Sequence, residues 1–229
     1  MNLYFLVEGK RTEIEVYPAW LKCLLPEFTQ VTTPDQVSRK TYYLVSGEGY
    51  PSLLGTHLHN AIKDVNSRAN YDYLVVCLDA DESTSFEREE TVRNVLIENA
   101  WVLTTAQLQV VVQNRTIETW FLGNRKMISD APQRSDLRRY LAFYDIRLSD
   151  PELMELLPEF EYHSQFHHEY LKEVFRERGM RYNKLAPGHV KDKTYLDQLL
   201  SRVDSRPHEL KSFQSFVGFC REVERLSKL

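Results

Sequence analysis

Short apolar runs alternate with amphipathic stretches through the first half of the chain. Leu3 to Val7 is continuously apolar and reads as a buried strand. It ends in Glu8-Gly9-Lys10-Arg11-Thr12-Glu13, where glycine permits a tight turn. Thr12 is placed to cap a helix, with Glu15 three residues on as the other half of a capping box. Ile14, Tyr17, Leu21, Leu24 and Leu25 then recur at helical spacing, although Pro18 argues for a late or irregular start. Residues 29–39 are polar and read as loop. Thr41 to Val45 is a second strand that runs into Ser46-Gly47-Glu48-Gly49, a turn able to approach a phosphate through its backbone N–H groups. Leu53, Leu54, His57, Leu58, Ala61, Ile62 and Val65 predict an amphipathic helix. A third strand over Tyr71 to Asp79, a charged helix over about 84–99 and a fourth strand over Gln107 to Gln113 follow.

Strands alternating with helices, joined by connections long enough for crossovers, predict an α/β fold: a mostly parallel four-stranded sheet with helices on both faces. Ligand sites in such sheets lie beyond the carboxyl ends of the strands. Glu8, the Gly47–Gly49 turn, Asp79 to Asp81 and Asn114 to Glu118 all fall there. After Asn114 the pattern turns helical and irregular, ending in a helix over about 207–227. Residues 1–124 are thus expected to form the α/β core, and residues 125–229 a mainly helical region. Residues 181–194, with Pro187 and Gly188, read as an ordered loop.

Composition narrows the picture. The chain has 229 residues, 27% of them charged, and a formal net charge of −4, so any nucleic-acid surface must be local. Such a surface is suggested by Arg176, Arg178, Arg181, Lys184, Lys191 and Lys193, six positive side chains interrupted by Glu177 and Asp192. Arg134, Arg138 and Arg139 form a smaller cluster. Three scattered cysteines make no disulfide framework and no metal-ligand spacing. Neither a signal peptide nor a membrane-length apolar run is recognisable, so a cytoplasmic protein that does not enter a membrane is expected.

The chemistry centres on Leu78-Asp79-Ala80-Asp81. Two carboxylates one residue apart share a side of a strand while strand geometry persists. They repel each other, and tolerate proximity in open water or around a hard cation such as Mg²⁺ or Mn²⁺. Glu8, at the end of the first strand, is a possible third ligand. His163, His167 and His168 lack a zinc motif and read as surface or packing histidines, and Trp120 as core.

Val7-Glu8-Gly9-Lys10-Arg11-Thr12-Glu13 after the first strand, with Leu78-Asp79-Ala80-Asp81 after a later one, resembles the Toprim fold of topoisomerases, primases and OLD-family nucleases. The stretch from Asn114 to Leu122, containing Glu118, Trp120 and Leu122, is similar to a signature of small stand-alone Toprim-like proteins of the DUF4276 and RloB-like groups, often found with phage-defence or mobile-element genes. The resemblance implies a metal-dependent nuclease acting on DNA or RNA. Glu8 would act as general acid/base or metal ligand, Asp79 and Asp81 as metal ligands, and Glu118 as a supporting acid and further metal ligand. Lys191 or Lys193 would stabilise transition-state charge, and Arg176, Arg178, Arg181 and Lys184 would hold the nucleic acid. A separate ATPase partner is implied in the same way, and a homo-oligomer is allowed. Two alternatives stay open. One is a non-catalytic Toprim-like partner subunit of an ATPase. The other is a haloacid-dehalogenase-like phosphatase with Asp79 as nucleophile, since Asp79-Ala80-Asp81-Glu82-Ser83 nearly fits that pattern.

Overall fold

The computed structural model describes residues 1–228. Five strands, β1 (Asn2–Val7), β2 (Thr29–Val31), β3 (Thr41–Ser46), β4 (Tyr73–Asp79) and β5 (Gln107–Gln113), form one sheet in the order β2-β3-β1-β4-β5. The β1–β3, β1–β4 and β2–β3 pairs are parallel. The described residues also hold short 3-10 and π turns and eight α-helices: α1 (Thr12–Leu24), α2 (Leu58–Arg68), α3 (Ser85–Glu98), α4 (Ile117–Leu122), α5 (Ser135–Phe143), α6 (His163–Glu177), α7 (Lys193–Ser205) and α8 (Lys211–Leu226).

The chain divides into two compact units. One contains Met1–Leu78, Phe86–Val112 and the chain from Ser215; the other contains Asp79–Ser85 and Gln113–Gln214. This differs from a single boundary at residue 124, because the α4 segment groups with the later helices and the C-terminal helix groups with the sheet.

In the first unit, all six residues of β1 are buried. Neighbouring side chains on a strand point to opposite faces. Tyr4 reaches α2, where its hydroxyl donates to Asp64 at 3.2 Å. Phe5 packs on Tyr17 of α1. Helices therefore cover both faces, as a parallel strand buried on both sides requires. The register sets Val7 opposite both Ser46 and Cys77, so β1, β3 and β4 reach one level together. Cys77 and Cys220 are buried thiols.

Three expectations need correcting here. The sheet has five strands, not four: β2 lies in the stretch read as loop. Its three residues are mostly exposed and carry no apolar alternation; backbone pairing with β3 holds them at the sheet edge. The residue flanking α1 is Arg11, and no side chain caps that end, so the Thr12–Glu15 capping box does not form. The amides of the Ser46–Tyr50 turn are already used, so they do not cradle a phosphate. Gly47 N donates to Val7 O, Glu48 N to Ser46 Oγ, Gly49 N to Glu8 O and Tyr50 N to Glu8 Oε1.

The second unit is built around α4, whose six residues are all buried. Trp120 is core, as expected: it packs edge-on against Phe213, and its indole N–H donates to Ser212 Oγ at 2.7 Å. The Tyr195 hydroxyl donates to Phe121 O at 2.7 Å. Among the described residues, no helix is long and apolar enough to cross a membrane.

Candidate functional site

Thr116 opens α4 in extended conformation, and its hydroxyl accepts the Glu118 N–H at 3.0 Å. Glu118 follows in the first turn, where the helix dipole favours a carboxylate. It is fully buried. Its oxygens accept from the Thr116 hydroxyl, from Tyr182 OH at 3.0 Å and from His168 Nδ1 at 3.3 Å, and Lys184 Nζ lies 3.3 Å away. Burial alone would raise its pKa. The His168 hydrogen bond, the Lys184 charge and the Thr116 hydroxyl together outweigh burial and hold the carboxyl at about 2. Glu118 is thus a buried counter-ion that ties α4 to α6 and to the segment after it. Protein donors occupy the oxygens for which the resemblance implies a supporting or metal-binding role.

On α6, His168, Lys172 and Arg176 recur every fourth residue and form one line along the helix. Gly179 follows in left-handed conformation, φ +67. Gly179 N donates to Arg176 O and Met180 N to Phe175 O, the paired bonds of a Schellman ending, which glycine favours because it has no Cβ to strain. The reversal sends Met180 to Asn183 back beside the same line. The result is a cleft of about 750 Å³ lined by Arg134, His168, Lys172, Arg176 and the Gly179–Asn183 segment. Four of its lining residues are cationic, and none is acidic.

The buried carboxylate of Glu173 organises two of these cations, contacting Arg134 Nε and Arg176 at 2.5 Å each. Burial works against its ionisation, but the hydrogen bonds from the two arginines outweigh that and lower its pKa. Arg181 is exposed and forms no ion pair among the described residues.

The basic residues read from the sequence therefore separate. Arg176 and Arg181 meet in the cleft, and Lys184 pairs with Glu118. Arg178 does not line the cleft; it donates to the carbonyls of Met127 at 3.1 Å and Lys126 at 3.0 Å and braces that segment. Lys193 pairs with Asp197 one helical turn on, at 2.7 Å. Lys191 ends a 3-10 turn, Gly188–Lys191. Lys172 was not singled out by sequence reasoning; the four-residue spacing from His168 to Arg176 was the available signal.

Glu8 accepts the Tyr50 N–H at 3.3 Å within the first unit. Strand geometry ends at Asp79. Asp81 has φ +52, and its N–H donates to Arg115 O at 2.9 Å. The two carboxylates therefore do not share a strand face by simple alternation, because a turn intervenes. Glu82 accepts from the His163 backbone at 2.8 Å and from its ring at 2.5 Å, docking the start of α6. Among the described residues, no group of three or more His, Cys, Asp or Glu side chains is arranged to hold a metal ion.

The three histidines of α6 have separate partners: Glu82 for His163, Thr119 for His167 and Glu118 for His168. His167 is fully buried; its Nδ1 meets Thr119 Oγ1 at 2.7 Å, and its Nε2 has no partner. Burial, reinforced by the charges of His163 and Arg115 against that of Glu118, lowers its pKa from 6.5 to about 3. The unfolded chain therefore binds a proton below 6.5 that the folded chain refuses until about 3, and stability falls as pH drops through that window. A loss of roughly 2 kcal/mol is expected between about pH 7.5 and pH 5. Glu118 adds its own loss only below its ordinary value of 4.5. Denaturant midpoints at the two pH values should converge in His167→Gln; an unchanged gap would show that His167 is not the group.

Compared with protein-family models, curated proteins and solved structures, the chain matches none.

Proposed function

We propose that this protein binds the phosphodiester backbone of nucleic acid in the basic cleft and cleaves it. The carrying observation is the cleft itself: four cationic lining residues and no acidic one, in a chain of net charge −4. Lys172 and Arg176 stand one turn apart, about 6 Å along the helix axis, and the buried Glu173 holds Arg134 and Arg176 in place before any ligand arrives. Guanidinium groups suit phosphate because their forked N–H donors match its oxygens.

The metal-dependent form of this reading rests on the resemblance of the strand-end motifs. Mg²⁺ or Mn²⁺ needs only one or two carboxylates besides water and phosphate, and Asp79 and Asp81 would supply them. Such a cation polarises a phosphodiester oxygen. The ATPase partner and the defence setting rest on the same resemblance.

Labelled single-stranded DNA and RNA, titrated with the protein between about 50 and 200 mM salt, test the binding. The double variant Arg176→Gln/Arg181→Gln is expected to bind at least about tenfold more weakly, with a salt slope shallower by about 1.5. Equal affinity and slope in wild type and variant would remove the cleft from the interface.

A further inference from the structure

We infer that His168, oriented by Glu118, is a general acid–base residue facing the phosphate held in the cleft. The inference rests on the cleft being the phosphate-binding site and gives that site its chemistry.

Three observations carry it. His168 lines the cleft on the same helix line as Lys172 and Arg176. Its side chain is about a quarter exposed, whereas its neighbour His167 is sealed in the core. Its Nδ1 is 3.3 Å from the Glu118 carboxylate, and its Nε2 has no hydrogen-bond partner among the described residues. A carboxylate accepts hydrogen bonds and cannot donate, so the neutral ring carries its hydrogen on Nδ1. That tautomer leaves a lone pair on Nε2. A buried anion that orients one ring nitrogen while the other meets the reacting group is the arrangement by which histidine acts as base and then acid.

Glu118 is the positioning residue. Its environment suits the role, since Thr116 at Oε2, and Tyr182 and Lys184 at the same Oε1 that meets the imidazole, also hold the carboxylate.

The reaction balances without a co-reactant beyond water. Nε2 takes a proton from a water molecule as the water oxygen bonds to phosphorus. The bond from phosphorus to the leaving oxygen breaks, and its electron pair stays on that oxygen. The imidazolium returns its proton to the leaving oxygen, so one water is consumed and His168 ends neutral. Arg176, Arg181 and Lys172 stabilise the charge that gathers on the non-bridging oxygens.

The experiment uses the full chain, a labelled oligoribonucleotide and an oligodeoxyribonucleotide of the same sequence, with EDTA present throughout. Affinity and cleavage are measured separately. The expected result is cleavage of at least one polymer by wild type, lowered at least about 100-fold in His168→Gln, with affinity within about threefold of wild type. His168→Gly is the second variant, and added imidazole should restore part of its cleavage, which a purely structural histidine would not allow. Cleavage unaffected by both substitutions overturns the inference. So does wild type that binds but does not cut in EDTA, including the case where cutting appears only on adding Mn²⁺; backbone binding then stands. Absence of binding to either polymer overturns the inference together with the proposed function on which it rests.

Discussion

Glu118→Ala is expected to lower unfolding stability by about 3 kcal/mol or more, the range for breaking a buried ion pair from one side. The wild-type carboxylate is fully buried and meets Thr116, Tyr182, His168 and Lys184. Alanine leaves those donors without an acceptor beside an apolar cavity. Lys184 and His168 retain some exposure and can turn toward water, which places the loss near the lower end of that range. Glu118→Gln keeps the volume and an acceptor oxygen but removes the charge, and should fall between alanine and wild type. Denaturant unfolding followed by circular dichroism measures both. A metal-ligand role gives a different pattern: a small change without metal, and loss of stabilisation by Mn²⁺. A shift below about 0.5 kcal/mol in EDTA would count against the anchoring role.

The second large effect is expected at Arg202 of α7, which is 3% exposed. Its Nε donates to Glu209 at 2.7 Å, and its two terminal nitrogens reach Gly123 O and Ile146 O at 3.0 Å and Ser149 O at 2.7 Å. One guanidinium thus satisfies three carbonyls, those of Gly123, Ile146 and Ser149, that lie outside the helices and strands. Burial lowers its pKa, against the pull of Glu209, but an arginine this well bonded stays charged. Arg202→Met keeps most of the volume while leaving the carbonyls unpaired. Glu209 is not stranded, because Arg206 at 2.9 Å and Arg125 at 3.0 Å remain. A loss of about 3–5 kcal/mol is expected, chiefly from the orphaned carbonyls. Arg202→Lys should recover little of it, since an ammonium cannot reach acceptors spread around a planar fork. A methionine variant as stable as wild type would mean that water satisfies those carbonyls.

Neither residue stood out in the sequence for the role it plays. Arg202 lies in an ordinary amphipathic helix, and nothing local marks it as buried. Glu118 read as a supporting acid, and the partners that bury it arrive from 50 and 64 residues away. The basic run from Arg176 to Lys193 was visible as composition. Its division was not: Arg181 exposed in the cleft, Arg178 bound to carbonyls and Lys184 beside a buried anion are set by which way the chain turns after Gly179.

The sequence by itself determined the alternation of strand and helix, the parallel sheet, the burial of Trp120 and the level ends of the strands. Each follows from local periodicity and connection length, which act over a few residues. It did not reveal β2, whose place depends on backbone pairing at an edge, where side-chain pattern carries no signal. The Asp79–Asp81 pair looked like two ligands on one strand face, and only the left-handed turn at Asp81 showed that the alternation ends between them. Tertiary structure also decided which charges are buried, which are paired and which line a cavity. Those properties depend on contacts between residues far apart in the chain, and no spacing along the sequence encodes them.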